Sequence, residues 1–112
     1  MSGAEGVTMR LDVQELHAMQ QADAPHTVLD VREDWEREIC AFEGSLNISL
    51  TKLGESIPLL PTDRPIVVMC HHGIRSMHAV QWLRTQGFDN ALNLDGGIDA
   101  WARQVDHRVA VY

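Results

Sequence analysis

Four short apolar runs recur along the chain, at 27–31, 46–48, Ile66–Met69 and Ala91–Leu94, and the stretches between them are patterned for helix. This alternation constrains the fold more than any single residue does. Parallel strands cannot be joined by a hairpin and need a crossover, usually a helix, so the pattern predicts an α/β fold with a parallel sheet and helices on both faces. Thr27-Val28-Leu29-Asp30-Val31 is β-branched and nearly all apolar, as a strand covered on both sides requires. Gly44-Ser45 and Pro58 bracket the second run, which leads into a short helical stretch around 51–60; Pro61 and Pro65 introduce the third.

The helices carry their own punctuation. Asp12 followed by Glu15 is a capping-box pattern, and Val13, Leu16 and Met19 continue it as an apolar stripe. Ser76, Ala79, Val80 and Leu83 follow i, i+3, i+4, i+7 spacing, with Gly87 where a C′ residue belongs. Asp95-Gly96-Gly97 turns the chain into a last helix through Trp101 to about Val105. Trp82 and Trp101 fall at core-like helix positions. Glu33, Glu36 and Glu38, interleaved with Trp35 and Ile39, read as a solvated helix face beside one buried aromatic. Residues 1–8, with Gly3 and Gly6 and no periodicity, are expected to be a flexible tail, leaving 9–112 as a single domain.

With 112 residues, 45% of them hydrophobic, the chain can bury a core without disulfides or metal staples. Its two cysteines, Cys40 and Cys70, cannot form a disulfide framework, and no basic stretch followed by an apolar one stands near Met1, so a reducing cytoplasm is the expected compartment. No apolar run approaches the roughly 20 residues that span a bilayer. Nine Lys and Arg are scattered among sixteen Asp and Glu, giving a net charge of −7 with no basic stripe. Nucleic acid and membranes are therefore not expected partners, and a monomer is expected. The same acidity means that an anionic substrate must be drawn by local dipoles and by one or two arginines.

The chemistry is concentrated where the third strand ends on Cys70 and the chain passes through His71-His72-Gly73-Ile74-Arg75 to Ser76 and the following helix. Main-chain N–H groups of a turn folded ahead of a helix N-terminus point inward, and with the helix dipole they stabilise negative charge on the cysteine. Thiols in such settings titrate at roughly 3.5–7.5. A nucleophilic thiolate is thus expected at Cys70, at a strand's carboxyl end, where sites lie in folds of this class. Gly73 supplies a positive φ or a close approach.

These residues resemble the rhodanese-like (thiosulfate sulfurtransferase) family in its small single-domain form. The loop 70–76 is similar to that family's active-site loop, Leu29-Asp30-Val31-Arg32-Glu33 to its first signature, and Gly96-Gly97 with Trp101 to its closing one. The family's Gly-His-Ile-Pro-Gly-Ala stretch is matched loosely by Cys40-Ala41-Phe42-Glu43-Gly44-Ser45. The resemblance implies a rhodanese-like fold with a five-stranded parallel sheet, and a cysteine that carries sulfane sulfur as a persulfide, with no other cofactor.

Four residues separate Cys70 from Arg75, one fewer than in phosphatase loops of Cys-x5-Arg form, and the tighter ring suits a single sulfur atom rather than a phosphate. The expected reaction is ping-pong sulfur transfer. Cys70 takes sulfur from thiosulfate or a related anionic donor and passes it to a thiol or cyanide acceptor. Cys70 and Arg75 are the expected catalytic residues, with Arg75 orienting the donor unless it faces solvent or pairs with an acid such as Asp95. His71, His72, Gly73, Ile74 and Ser76 are the expected substrate-binding residues, through loop amides and the partial charge of the two histidines. No metal is expected, because adjacent side chains on a tight turn diverge and His78 lies on the helix beyond. Asp30 is expected to cap loop amides and Arg32 to tie the sheet to a carboxylate. Cys40 reads as a buried, inert thiol. Two other functions fit the chain less well: a non-catalytic or partner-dependent sulfur-relay module that docks a protein and receives sulfur only from it, and a rhodanese-like phosphatase or arsenate reductase; a protein is also a candidate sulfur acceptor.

Overall fold

The computed structural model describes residues 9–112, so the expected tail at 1–8 lies outside the described residues. Five strands, β1 (Arg10–Leu11), β2 (Thr27–Asp30), β3 (Leu46–Asn47), β4 (Ile66–Met69) and β5 (Ala91–Leu94), alternate with four helices, α1 (Val13–Gln21), α2 (Asp34–Ile39), α3 (Ile74–Thr85) and α4 (Gly97–Gln104). Two 3₁₀ turns, Leu50–Lys52 and Gly54–Leu59, fill the connection from β3 to β4. The sheet has the order β1-β5-β4-β2-β3 and every pairing is parallel, as the alternation requires.

Period-two alternation along the central strands divides the core into two layers. From β4 and the residue after it, Ile66, Val68 and Cys70 face α3 and the 3₁₀ turns, where they pack with Ala79, Val80 and Leu83. Val67 and Met69 face the other way, against Leu16 of α1 and Ile98 and Trp101 of α4. Trp101 takes its expected buried place, 4.8 Å from the Phe42 ring. Trp82 does not: it lies one position off the stripe of Ala79, Val80 and Leu83, and is among the exposed large side chains. The capping box of α1 forms as read, with Asp12 and Glu15 exchanging hydrogen bonds of 2.8 Å.

Around α2, Glu33 and Glu38 are exposed as expected, and Glu36 and Trp35 are the main correction. Trp35 is 59% exposed, whereas Glu36 is 2% exposed and points inward. Topology explains the inversion. From β2 the chain steps outward to β3, then returns to the far side of β2 for β4, which opens a crevice beyond the carboxyl ends of β2 and β4. The start of α2 lies over that crevice, so its inner side chain meets polar groups there. Among the described residues no helix is long and apolar enough to cross a membrane.

Candidate functional site

Cys70 follows the last residue of β4, and the chain then turns through Gly73, the N-cap of α3, at φ 103°. A side chain there would be strained, and its Cβ would stand 3.2 Å from Gly96 N and 3.4 Å from Leu94 O, so both readings of Gly73 hold. The N-terminus of α4 closes the loop from the side. Ile98 N–H donates to Cys70 O at 3.0 Å and Asp99 N–H to His71 O at 3.1 Å. This approach requires Gly97, at φ 60°, because a Cβ there would lie 2.4 Å from both carbonyl oxygens. The glycine pair before the last helix is therefore a docking surface for the cysteine loop as well as a turn.

The sulfur sits at the base of this cup. Gly73 N–H donates to Cys70 Sγ at 3.1 Å, Ser76 N–H approaches it at 3.4 Å, and Ser76 Oγ lies 3.3 Å away. Of the loop amides expected to face the sulfur, these two are aimed at it, and both belong to the start of α3. Behind Ser76 stands Asn93, a buried polar residue of β5. Its Nδ2 donates to Asp95 Oδ1 at 2.9 Å, which leaves Oδ1 to accept from Ser76 Oγ in a short hydrogen bond. The single Ser76 hydroxyl proton is thus directed to Asn93, and a negatively charged sulfur has to compete for it. Cys70 itself is 1% exposed and counts as part of the α3-side core. Cys40 is half-buried rather than buried as expected, and it packs against the opposite layer, so the two free thiols lie on different faces of the sheet.

A charged cluster fills the crevice beside the loop. Both terminal nitrogens of Arg75 bind the Glu36 carboxylate at 2.7 Å. The partner of Arg75 is therefore Glu36 rather than Asp95 or bulk solvent. Tyr112 OH donates to Glu36 Oε2 at 2.7 Å and accepts from Arg32 Nη1 at 3.0 Å. Arg32, fully buried, forks onto Asp30 at 2.8 and 3.0 Å and reaches Cys40 O at 2.9 Å. Asp30 also accepts the Arg32 N–H at 2.9 Å, so the expected cap and the expected tie to a carboxylate are one bidentate unit. The Arg75 hydrogen bonds hold the Glu36 carboxyl at about 2, against the opposing effect of burial and with help from Tyr112. Burial, reinforced by the Glu36 carboxylate, pushes the Tyr112 phenol up to about 12.

At the loop's rim the rings of Tyr112, His71 and His72 form a continuous stack, with centroid spacings of 3.8 and 3.9 Å. The adjacent histidines therefore do not diverge, contrary to the expectation from the tight turn. Ile74 is 70% exposed. With His72, Gly73, Met77 and His78 it lines an open cleft of about 330 Å³.

Comparison with known proteins matches this arrangement to a family. The model of the rhodanese-like domain matches residues 12–104. The chain belongs to the rhodanese-like domain family. It is 37% identical over 91 residues to the thiosulfate sulfurtransferase GlpE of Shewanella oneidensis, covering 81% of this chain and 89% of that protein. It is 36% identical over 110 residues to the adenylyltransferase and sulfurtransferase MOCS3-1 of Zea mays, of which it spans 24%. A crystal structure of a rhodanese-related protein from Thermoplasma volcanium superimposes with a TM-score of 0.79 at 32% identity, covering 92% of this chain and 98% of that one. Within this rhodanese-like domain the structure brings Cys70, Gly73 and Ser76 together around the sulfur, turns Arg75 to Glu36, and leaves His72 and Ile74 on the rim. Glu36, Asn93 and Tyr112 were not foreseen as site residues. Asn93 left a signal, a lone amide in the apolar run Ala91–Leu94; Tyr112, 76 residues from its partner Glu36, left none.

Proposed function

We propose that this rhodanese-like domain is a sulfurtransferase that carries sulfane sulfur on Cys70. The observation supporting this reading most is the pair of α3 amides, Gly73 N–H and Ser76 N–H, aimed at one sulfur atom beyond the end of β4. The Cys70 thiolate attacks the outer sulfur of thiosulfate, a new S–S bond forms, and the original S–S bond breaks as sulfite leaves with the electron pair. A thiol or cyanide then attacks the outer persulfide sulfur and returns the thiolate. The kinship with a thiosulfate sulfurtransferase supports this choice of donor. A reducing compartment suits the chemistry, because Cys70 has to stand as a free thiol between turnovers.

Arg75 anchors the first turn of α3 through Glu36, whose carboxylate offsets its charge, so orienting the donor requires that carboxylate to be displaced, and the α3 amides are the groups in place to draw an anion. A phosphatase needs its arginine clamped on the substrate, and here the fork is taken by a carboxylate. Formation of thiocyanate from thiosulfate and cyanide, without hydrolysis of a small aryl phosphate, is the expected assay result; phosphate release without thiocyanate would overturn the reading.

The burial of Cys70 favours a second reading, in which a protein partner opens the rim and exchanges sulfur directly. His72 and Ile74 are the exposed side chains that such a partner, or thiosulfate itself, would displace. On that reading free thiosulfate is turned over slowly, while a persulfide-bearing protein loads Cys70 rapidly.

A further inference from the structure

His71 and His72 form one side of a second cluster, outside the hydrogen bonds that hold the Cys70 sulfur. Asp99, in the first turn of α4, forms the other. One nitrogen of each imidazole and one Asp99 oxygen all lie within 4.8 Å of one another. The His72 Nε2 to Asp99 Oδ2 distance is 4.0 Å. His71 Nε2 is buried and has no hydrogen-bond partner among the described residues, an unpaired polar atom of the kind that a bound ion or water normally satisfies. We propose that His71, His72 and Asp99 bind a divalent cation of zinc's class.

Two imidazoles and one carboxylate are a donor set that zinc accepts with a fourth, open position. Tetrahedral ligation at about 2.1 Å brings ligand atoms to about 3.4 Å from one another. Closing from the present spacing takes rotation of the two imidazoles out of their stack, in which the ring planes lie nearly parallel, while the Asp99 N–H to His71 O hydrogen bond holds the backbone between them. His72 is exposed, and it turns at the cost of its stacking on His71. The present partner of Asp99 is Arg103, one turn on, whose Nε lies 3.0 and 3.2 Å from the two carboxylate oxygens; this pair is exposed on the arginine side and weakened by solvent. Cys70 is not part of the site, since its sulfur is engaged by the α3 amides, and His78 lies beyond the cluster on the cleft side. The chain's net charge of −7 adds a general attraction for cations.

The test is zinc titration of wild-type protein and of Cys70→Ser by competition with a chromophoric zinc indicator. One equivalent should bind both alike, and His71→Ala, His72→Ala and Asp99→Asn should each weaken binding by at least about tenfold. Histidine ring resonances of the Cys70→Ser protein give a readout that needs no ligand variant to fold. Of the chain's six histidines, zinc should shift those of His71 and His72 and leave the other four in place. Absence of binding, loss of binding in Cys70→Ser, full binding in a folded Asp99→Asn, or a shift centred on His78 would each overturn the assignment.

Discussion

Glu36→Gln perturbs a buried carboxylate that touches the active-site helix, and the structure gives both the size and the pH signature of its effect. Glu36 accepts two hydrogen bonds from Arg75 and one from Tyr112, and its carboxyl is held at about 2 against an ordinary value of 4.5. A depressed carboxyl contributes stability that is complete above its unfolded value and is lost as pH falls through the folded one. The difference between 4.5 and about 2 corresponds to about 3 kcal/mol at pH 7, falling to about 1 kcal/mol at pH 3. Burial on the Glu36 side puts the pair in the range where removing one partner is costly, and partial exposure of Arg75 keeps it at the low end of about 3–5 kcal/mol. Urea unfolding of wild type and Glu36→Gln at pH 7, 5, 4 and 3 measures the difference. The two proteins should differ by about 3 kcal/mol at neutral pH and converge below pH 4. A constant difference across that range, or one below about 0.5 kcal/mol at pH 7, would refute the argument that the ion pair clamps the crevice.

Other perturbations have equally specific outcomes. Gly97→Ala would force a Cβ to within 2.4 Å of two carbonyl oxygens at a positive φ, and thermal melts should show a loss of more than about 3 kcal/mol together with lost sulfur transfer. Tyr112→Phe removes a hydroxyl that serves both Arg32 and Glu36, and chemical denaturation should register a cost of about 1–3 kcal/mol while the His71 stack survives. Ser76→Ala leaves Asn93 Oδ1 without its donor, at about 1–3 kcal/mol, yet keeps the Ser76 main-chain N–H on the sulfur; thiocyanate formation should slow without being abolished.

The strands and capped helices were legible because their signals are local. Asp12 and Glu15 lie three residues apart on one turn, and the apolar runs at 27–31, Ile66–Met69 and Ala91–Leu94 announce their own burial, whereas at the sheet edge Leu46 is half-buried, Asn47 exposed and only Ile48 buried. β1 was not legible: Arg10 and Leu11 make a strand only by pairing with Asn93 and Leu94, and a two-residue segment has no period to read. The fifth strand was expected from the family resemblance alone. Six residues of α2 are likewise too few for an amphipathic pattern to declare its inner face, so Glu36 was read as solvated and Trp35 as buried, the reverse of what the crevice dictates. At the site itself, the cysteine and its glycine turn were legible because strand, turn and helix follow one another in sequence. The partner of Arg75 was not, since Glu36 is 39 residues away and is brought there by the β2–β4 pairing. Nor was the depth of the sulfur, which depends on how Cys70 continues the inward alternation of Ile66 and Val68.

Every step of the proposed transfer requires Cys70 Sγ to be the atom that holds the transferred sulfur. Intact mass spectrometry after incubation with thiosulfate and removal of the donor measures this directly. Wild type should gain the mass of one sulfur, lose it on addition of cyanide, and show no such gain as Cys70→Ser. Retention of the adduct in that variant, with the extra sulfur mapping to Cys40, would contradict the assignment.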